Sequence, residues 1–450
     1  MKNKRDYRLR TRQELEQLEL KTLATYAKPS QDAFLTRRFE ESQHAYRTAF
    51  QRDRDRIIHS RAFRRLKHKR QVFLTTEGDH YRTRITHTLE VSQLSRTMAK
   101  TLGLNEDLVE AIALGHDLGH TPFGHLGEVV LNEIMSGGES FAGMTGSDDL
   151  GGFKHNYQSV RVVDRLESKY RFDGLNLTSV VREGILKHTR LKRGQFNYPD
   201  FFFDGLHFEL DSATTLEGQV VAICDEIAQR THDLEDGIRA DLVEIKRVRE
   251  LALVQQVEEK LGISRLAIDN ERLYRGLLIR GLINFLVDDV IHTTLKNIAK
   301  YEQKKGRITD FDAVIVDFSP EMDPLQKQLN KFIYQEIIDF SRAHWSDELG
   351  KKLLYRLFEA YYQDSTLLPE DIYKRDLKSP NSVAAEHEKR PKDSHYCRTI
   401  CDYIAGMTDH YAIREAKRLA VLEKVELDDL HLESALGISP ADYKTSAPSN

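Results

Sequence analysis

Residues 105–134 read NEDLVEAIALGHDLGHTPFGHLGEVVLNEI. Asn105 followed by Glu106 and Asp107 is a helix start signal, and Leu108, Ala111, Ile112 and Leu114 recur at the spacing of one helical face up to His116 and Asp117. Gly119, Pro122 and Gly124 then interrupt the period before a second helix carries Glu128, Val129, Leu131 and Ile134. The expectation is helix, break, helix, with three histidines and an aspartate packed into the ten residues 116–125. Such a density of polar, ion-binding side chains is uncommon in a purely structural helix.

The same period extends outward in both directions. Helices are expected from about Thr11 to Tyr26, from Ala45 to Val72, from Ile85 to Leu102 with a stop at Gly103, and from His395 to Ala420. The segment Gly276 to Leu295 carries a core stripe at Leu278, Leu282, Phe285, Leu286 and Ile291. Ten prolines in 450 residues agree with an all-α fold. Two stretches stand apart: Ser136 to Phe153, rich in Gly and hydroxyl or acidic residues, reads as a loop, and Gln195 to Leu210, with Asp204-Gly205, as a small β-hairpin. With 40% apolar and 31% charged residues the chain is of the soluble globular class, and a net charge of −4 gives it no global field for gripping a nucleic-acid backbone. Arg280, Asn284, Asp288 and Asp289 break the best candidate for a spanning helix, and the charged N-terminus MKNKRDYRLR lacks an apolar leader, so a cytoplasmic protein without membrane contact is expected. Cys224, Cys397 and Cys401 are too few and too oddly spaced for a disulfide framework and read as packed thiols.

His116 and Asp117 project about 100° apart on a helix, which lets two short side chains converge on one cation, and imidazole with carboxylate suits Mg, Mn, Fe or Zn better than a soft thiolate site does. More ligands must come from elsewhere. His87, 29 residues before His116, and Asp225, 108 residues after Asp117, are the natural donors, each in a helical segment with apolar neighbours. Arg84 lies one turn before His87 on the same face, where its planar fork could hold a phosphate. His125 and Glu128, three apart, share a face at the start of the second helix and form a candidate acid–base pair.

The flanking text makes a resemblance specific. DRDRIIHSRAFRRL (53–66), QVF (71–73), RTRITHTLEV (82–91), HDLGHTPFGHLGE (116–128), LNLT (175–178), CDEIA (224–228) with HDLED (232–236), and DYIAGMTD (402–409) are collinear over most of the chain. In this order they resemble the deoxynucleoside triphosphate triphosphohydrolases, the dGTPase-like branch of the HD superfamily. The resemblance implies hydrolysis of a dNTP at the α-phosphorus to a deoxynucleoside and tripolyphosphate, with control of dNTP pools as the role. It implies a divalent metal ion on His87, His116, Asp117 and Asp225, and a catalytic cluster of His120, His125 and Glu128, joined more loosely by His155. Tyr403 and Asp409 would approach sugar and base. An activating nucleotide and a symmetric homo-oligomer are implied as partners. Where the family commonly carries Tyr, four residues after the metal-binding Asp, this chain has Gln229, which can hydrogen-bond to a sugar but cannot stack on it.

The domain organisation expected from these motifs is an N-terminal helical arm over 1–52, an HD core over 53–240 with the loop 136–153 inserted, a C-terminal helical region over 241–430 completing the nucleotide pocket and oligomer contacts, and a tail over 431–450. Six Lys or Arg fall in the ten residues Arg61 to Arg70, a pattern of either a solvated helix face or a polyphosphate contact. Two other functions remain open at this level. An HD phosphodiesterase or nucleotidase would share the metal site, and a non-catalytic nucleotide or single-stranded nucleic-acid binder would use the basic run.

Overall fold

The computed structural model describes residues 9–32, 35–69, 82–138, 141, 150–191, 201, 205–207, 209–263, 270–339, 345–372 and 394–419. In chain order the helices used below are α1 (Arg12–Thr22), α2 (Ala49–Ile58), α3 (Arg61–Arg65), α4 (Arg84–Leu102), α5 (Glu106–Gly115), α6 (His125–Met135), α7 (His155–Arg161), α8 (Ser179–Leu186), α9 (Leu216–Arg239), α10 (Ile245–Val248), α11 (Ala252–Leu261), α12 (Glu271–Lys305), α13 (Met322–Ile333), α14 (Trp345–Gln363), α15 (Ser394–Ala405) and α16 (Asp409–Arg418). No β-strand forms among the described residues, so the fold is all-α.

Helix α5 is the central element because its sequence is apolar over most of its circumference, with Glu106, Asp107 and Glu110 on the remaining side. Its residues Leu108 to Gly115 are buried except Glu110, and it packs against α2, α4, α8 and α9. The Asn105 side chain accepts from the amides of Asp107 and Leu108, so the start signal works as expected. Helix α4 stops at Gly103, in the left-handed conformation (φ +70°), with the Leu104 amide returning to the Ala99 carbonyl. Helices α4 and α9 cross beside α5, and the long α12 packs on α9. The helix α14 packs on α6, and α15 and α16 pack on α14, which ties the C-terminal part to the helix–break–helix segment. Among the described residues no helix is long and apolar enough to cross a membrane.

Several expected helices are shorter than their periodicity. The Ala45 to Val72 run starts only at Ala49, behind a Thr48–Gln51 capping box, and is cut at His59 because Ser60 caps a new helix by accepting from the Phe63 amide at 3.1 Å. Helix α1 ends at Thr22, where Leu23 is extended. The His395 to Ala420 run splits after Ala405, and Thr408 caps α16 by accepting from the Tyr411 amide at 3.2 Å. The hairpin expected over Gln195 to Leu210 falls mostly outside the described residues; those described, 201, 205–207 and 209–210, are turns, bends or irregular. Residues 139–140 and 142–149 of the expected loop, residues 70–81 and the tail also lie outside them.

Candidate active site

The break after α5 is built by close packing. A Cβ placed on Gly119 would stand 2.2 Å from the Ser159 nitrogen and 2.5 Å from the His155 carbonyl oxygen, so only glycine lets α7 lie directly on the turn. Ser159 fastens the contact, since its Oγ accepts from the Gly119 amide at 2.9 Å and donates to the His116 carbonyl at 2.7 Å. The turn then takes Phe123 and Gly124 through positive φ (59° and 61°), which is uncommon for a phenylalanine. Asp409 stabilises that conformation by accepting from the Phe123 amide at 2.9 Å. The DYIAGMTD segment is thus a brace for the break: Asp409 holds the turn, and Asp402 pairs with Arg161 Nε at 2.8 Å and accepts from Gln158 at 2.9 Å on α7. This differs from the expected approach of Asp409 to sugar and base.

His87 from α4, His116 and Asp117 after α5, and Asp225 from α9 meet at one buried point. His87 Nε2 lies 2.9 Å from Asp225 Oδ1, and His116 Nε2 lies 3.4 Å from Asp117 Oδ1 and 3.7 Å from Asp225 Oδ1. Two donors roughly 2.1 Å from one ion sit about 3.0 Å apart at right angles and about 3.4 Å apart at the tetrahedral angle, so these separations fit a shared cation. A second sign is an uncovered lone pair. His116 Nδ1 lies 2.6 Å from the Ala113 carbonyl and so carries the proton, while its Nε2 is buried without a hydrogen-bond partner. Burial alone would raise the Asp117 carboxyl, but His116, His120 and Arg84 overcome this and hold it well below its ordinary range. Asp225 is depressed in the same way, burial being outweighed by His87 and His116.

Arg84 is part of this centre and not a surface residue. It is 4% exposed, its Nη1 donates to Asp117 Oδ2 at 2.9 Å, and its Nε is buried without a partner. His120 Nε2 lies 3.2 Å from Asp117 Oδ1, and the His120 ring stacks on His155 at a centroid distance of 3.9 Å. Asp117, His120 and His155 form a second group with donor atoms close enough to share a cation. Burial, followed by Arg84 and His155, holds the His120 imidazole well below its usual range, so it is neutral.

Glu128 serves His155 more closely than His125. One carboxylate oxygen takes the His155 Nδ1 proton and, at 3.0 Å, the His155 amide, while the other takes the Lys154 ammonium. His125 Nδ1 stands 3.9 Å from Glu128, with its side chain 59% exposed, because the first residue of α6 faces outward. Both nevertheless line a cavity of about 410 Å³ with Lys154, Asn156, Tyr157 and Arg190. Burial would raise the Glu128 carboxyl, but His155, Lys154 and His120 hold it well below its ordinary range.

His188 was not found from the sequence. Its Nδ1 donates to the Ile185 carbonyl at 2.7 Å, and its Nε2 meets His155 Nε2 at 3.1 Å. Burial, then His116 and His155, push it down to about 3. The only local signal was a histidine just past the end of the apolar helix Ser179–Leu186, which by itself describes many packed residues. Two other expected contacts stand elsewhere. Gln229, one turn beyond Asp225, is exposed on α9, and Tyr403 donates to or accepts from Tyr411 at 2.9 Å in a different cavity of about 380 Å³. Of the basic run, Arg61, Arg65 and Lys69 line that cavity with Leu118 and Gly119, Arg64 and Lys67 are exposed, and Arg70 lies outside the described residues. Lys69 is buried, which pushes it down to about 7, and its ammonium donates to the carbonyls of His120 and Ala405. The cysteines are all free and buried.

Residues 84–230 match the HD domain family, and residues 316–418 match the phosphohydrolase-associated domain. A protein of Bartonella henselae called deoxyguanosinetriphosphate triphosphohydrolase-like is 39% identical over 393 residues, which is 85% of this chain and 92% of that protein. One of Geobacter metallireducens with the same description is 39% identical over 391 residues, covering 85% and 91%. A third, of Brucella ovis, is 38% identical over 392 residues, covering 84% and 91%.

Proposed function

Because this chain belongs to the deoxyguanosinetriphosphate triphosphohydrolase-like family of HD-domain phosphohydrolases, we propose that it hydrolyses deoxynucleoside triphosphates at the α-phosphorus, releasing a deoxynucleoside and inorganic tripolyphosphate. The observation that carries this reading is the buried quartet His87, His116, Asp117 and Asp225, with the uncovered His116 Nε2 and a phosphate-shaped cation, Arg84, beside it.

The quartet would hold a divalent cation, which when bound neutralises phosphate oxygens and acidifies a water molecule. Arg84, already turned toward Asp117, keeps an unspent Nε–H for a phosphoryl oxygen and fixes its orientation by a forked contact. His120, neutral and with Nδ1 buried and unpartnered, supplies a further polar contact next to the same carboxylate. The proton for the leaving 5′-oxygen is assigned to His155, whose Nδ1 faces Glu128 and whose Nε2 faces His188. Glu128 orients that ring and stabilises its charge. His125, at the cavity wall, meets the substrate from the solvent side, while Tyr403 lines the separate cavity with Leu118 and Gly119 and Gln229, exposed on α9, lines neither.

Product identity tests the proposal. Purified protein is incubated with each dNTP and rNTP in turn, with Mg or Mn, and the phosphate products are separated. Tripolyphosphate from a dNTP is the expected result; stepwise orthophosphate or pyrophosphate would overturn it.

A further inference from the structure

The two histidines of the quartet fix their ring protons by different means. His116 donates Nδ1–H to a carbonyl of its own helix, Ala113, at 2.6 Å. His87 instead faces a second imidazole, with His87 Nδ1 and His232 Nδ1 3.4 Å apart and the rings nearly perpendicular. His232 Nε2 in turn lies 2.8 Å from Glu90 Oε2, an oxygen that also accepts from Arg82 Nε at 3.1 Å. The chain Asp225, His87, His232, Glu90 alternates between α9 and α4. His87 and Glu90 are three apart on α4, and Asp225 and His232 are seven apart on α9, so each pair shares one helical face and the four side chains interleave where the helices cross. His87 and His232 are both 2% exposed, so neither ring can trade these partners for water.

The proton positions follow from the partners. A carboxylate can only accept, so His232 carries its proton on Nε2, facing Glu90, and offers Nδ1 as a lone pair. That lone pair is an acceptor for the Nδ1 proton of His87, and a ring protonated at Nδ1 presents its Nε2 lone pair on the opposite side, toward Asp225 and the centre. We propose that Glu90 and His232 are positioning residues that set the tautomer and ring orientation of His87 for binding the cation. This rests on the reading that His87 is a ligand. It gives a role to the histidine of the HDLED motif, which the hydrolytic chemistry leaves unused.

The test measures metal binding by the full chain without nucleotide, using Mn²⁺ in competition with a chelator, and Co²⁺ for its visible spectrum. His232→Phe keeps the ring's bulk and removes the acceptor, and the expected loss in affinity is about 10–100-fold with a changed Co²⁺ spectrum. His232→Gln restores an acceptor toward His87 and a donor toward Glu90, so it should recover most of that loss, which a merely space-filling role would not predict. Glu90→Gln should weaken binding by roughly several-fold. Wild-type affinity in His232→Phe, or in Glu90→Gln where the Phe variant does not fold, overturns the positioning role. His87→Ala separates the two readings: if it too retains metal, the assignment of His87 as a ligand has failed.

Discussion

Replacing Glu128 with Gln removes one charge from a carboxylate that is 5% exposed and has donors on both oxygens. One oxygen faces the Lys154 ammonium, and the other faces the His155 ring and amide. A glutamine amide can accept on one side only, and its NH₂ group then confronts a donor on the other. At least one charge-assisted hydrogen bond is therefore lost, worth about 1.5–3 kcal/mol in stability. The larger effect is on the reaction, because the His155 ring loses the anion that holds it in place. General acid–base help of this kind contributes about 10²–10⁴ in rate, so kcat at saturating dNTP should fall by that range while metal content and helicity stay near wild type. A double-mutant cycle shows which imidazole Glu128 serves. In a His155→Gln background, Glu128→Gln should cost no more than about threefold further, whereas in His125→Ala it should cost its full factor. A Glu128→Gln enzyme with near-wild-type kcat would refute the reasoning, and so would coupling to His125 without coupling to His155.

Three further outcomes follow from the same structure. Asp117→Ala should lose bound metal, read by elemental analysis, and also lower stability by about 3–5 kcal/mol because Arg84 is left buried without its anion; His116→Ala should lose the metal as well, and stoichiometric metal in either would defeat the assignment. Gly119→Ala should force α7 away from the turn, costing about 1–3 kcal/mol in a denaturant melt and separating His155 from His120 with a drop in kcat, since the obstructing atoms are backbone. Glu217, buried and bonded to the amides of Lys28 and Asn105, is pushed up to about 7 from 4.5, chiefly by burial. Its contribution to stability is therefore full below pH 4.5 and lost as pH rises to 7, by about 3 kcal/mol; Glu217→Gln should remove that slope, so its Tm relative to wild type should rise between pH 5 and pH 8.

Features that depend on near neighbours can be read along the chain. The period of Leu108, Ala111, Ile112 and Leu114 and the Asn105 cap define α5, and the His-Asp pair at its end is local chemistry written in adjacent letters. That His87 and Asp225 belong beside the His-Asp pair was legible because ligand types are few and the flanking motifs are long. Helix ends were less legible, since a capping hydroxyl such as Ser60 or Thr408 competes with a period that runs straight past it.

Which distant side chain answers which is set by the packing of the helices. His125 and Glu128 are three apart and look paired on a helical face, yet Glu128 turns to His155, 27 residues on, because Gly119 lets α7 lie against the break and bring its imidazole nearer than that of the helix's own first residue. Asp409 similarly reaches back 286 residues to hold the Phe123 turn. His188 carries no local mark, and the HDLED motif marks His232 without its partner, until a crossing element places an imidazole within 3.1 Å or 3.4 Å of each. Spacing along one helix fixes which residues share a face, but the partner across that face is set by the packing of another helix, which no short stretch of sequence contains.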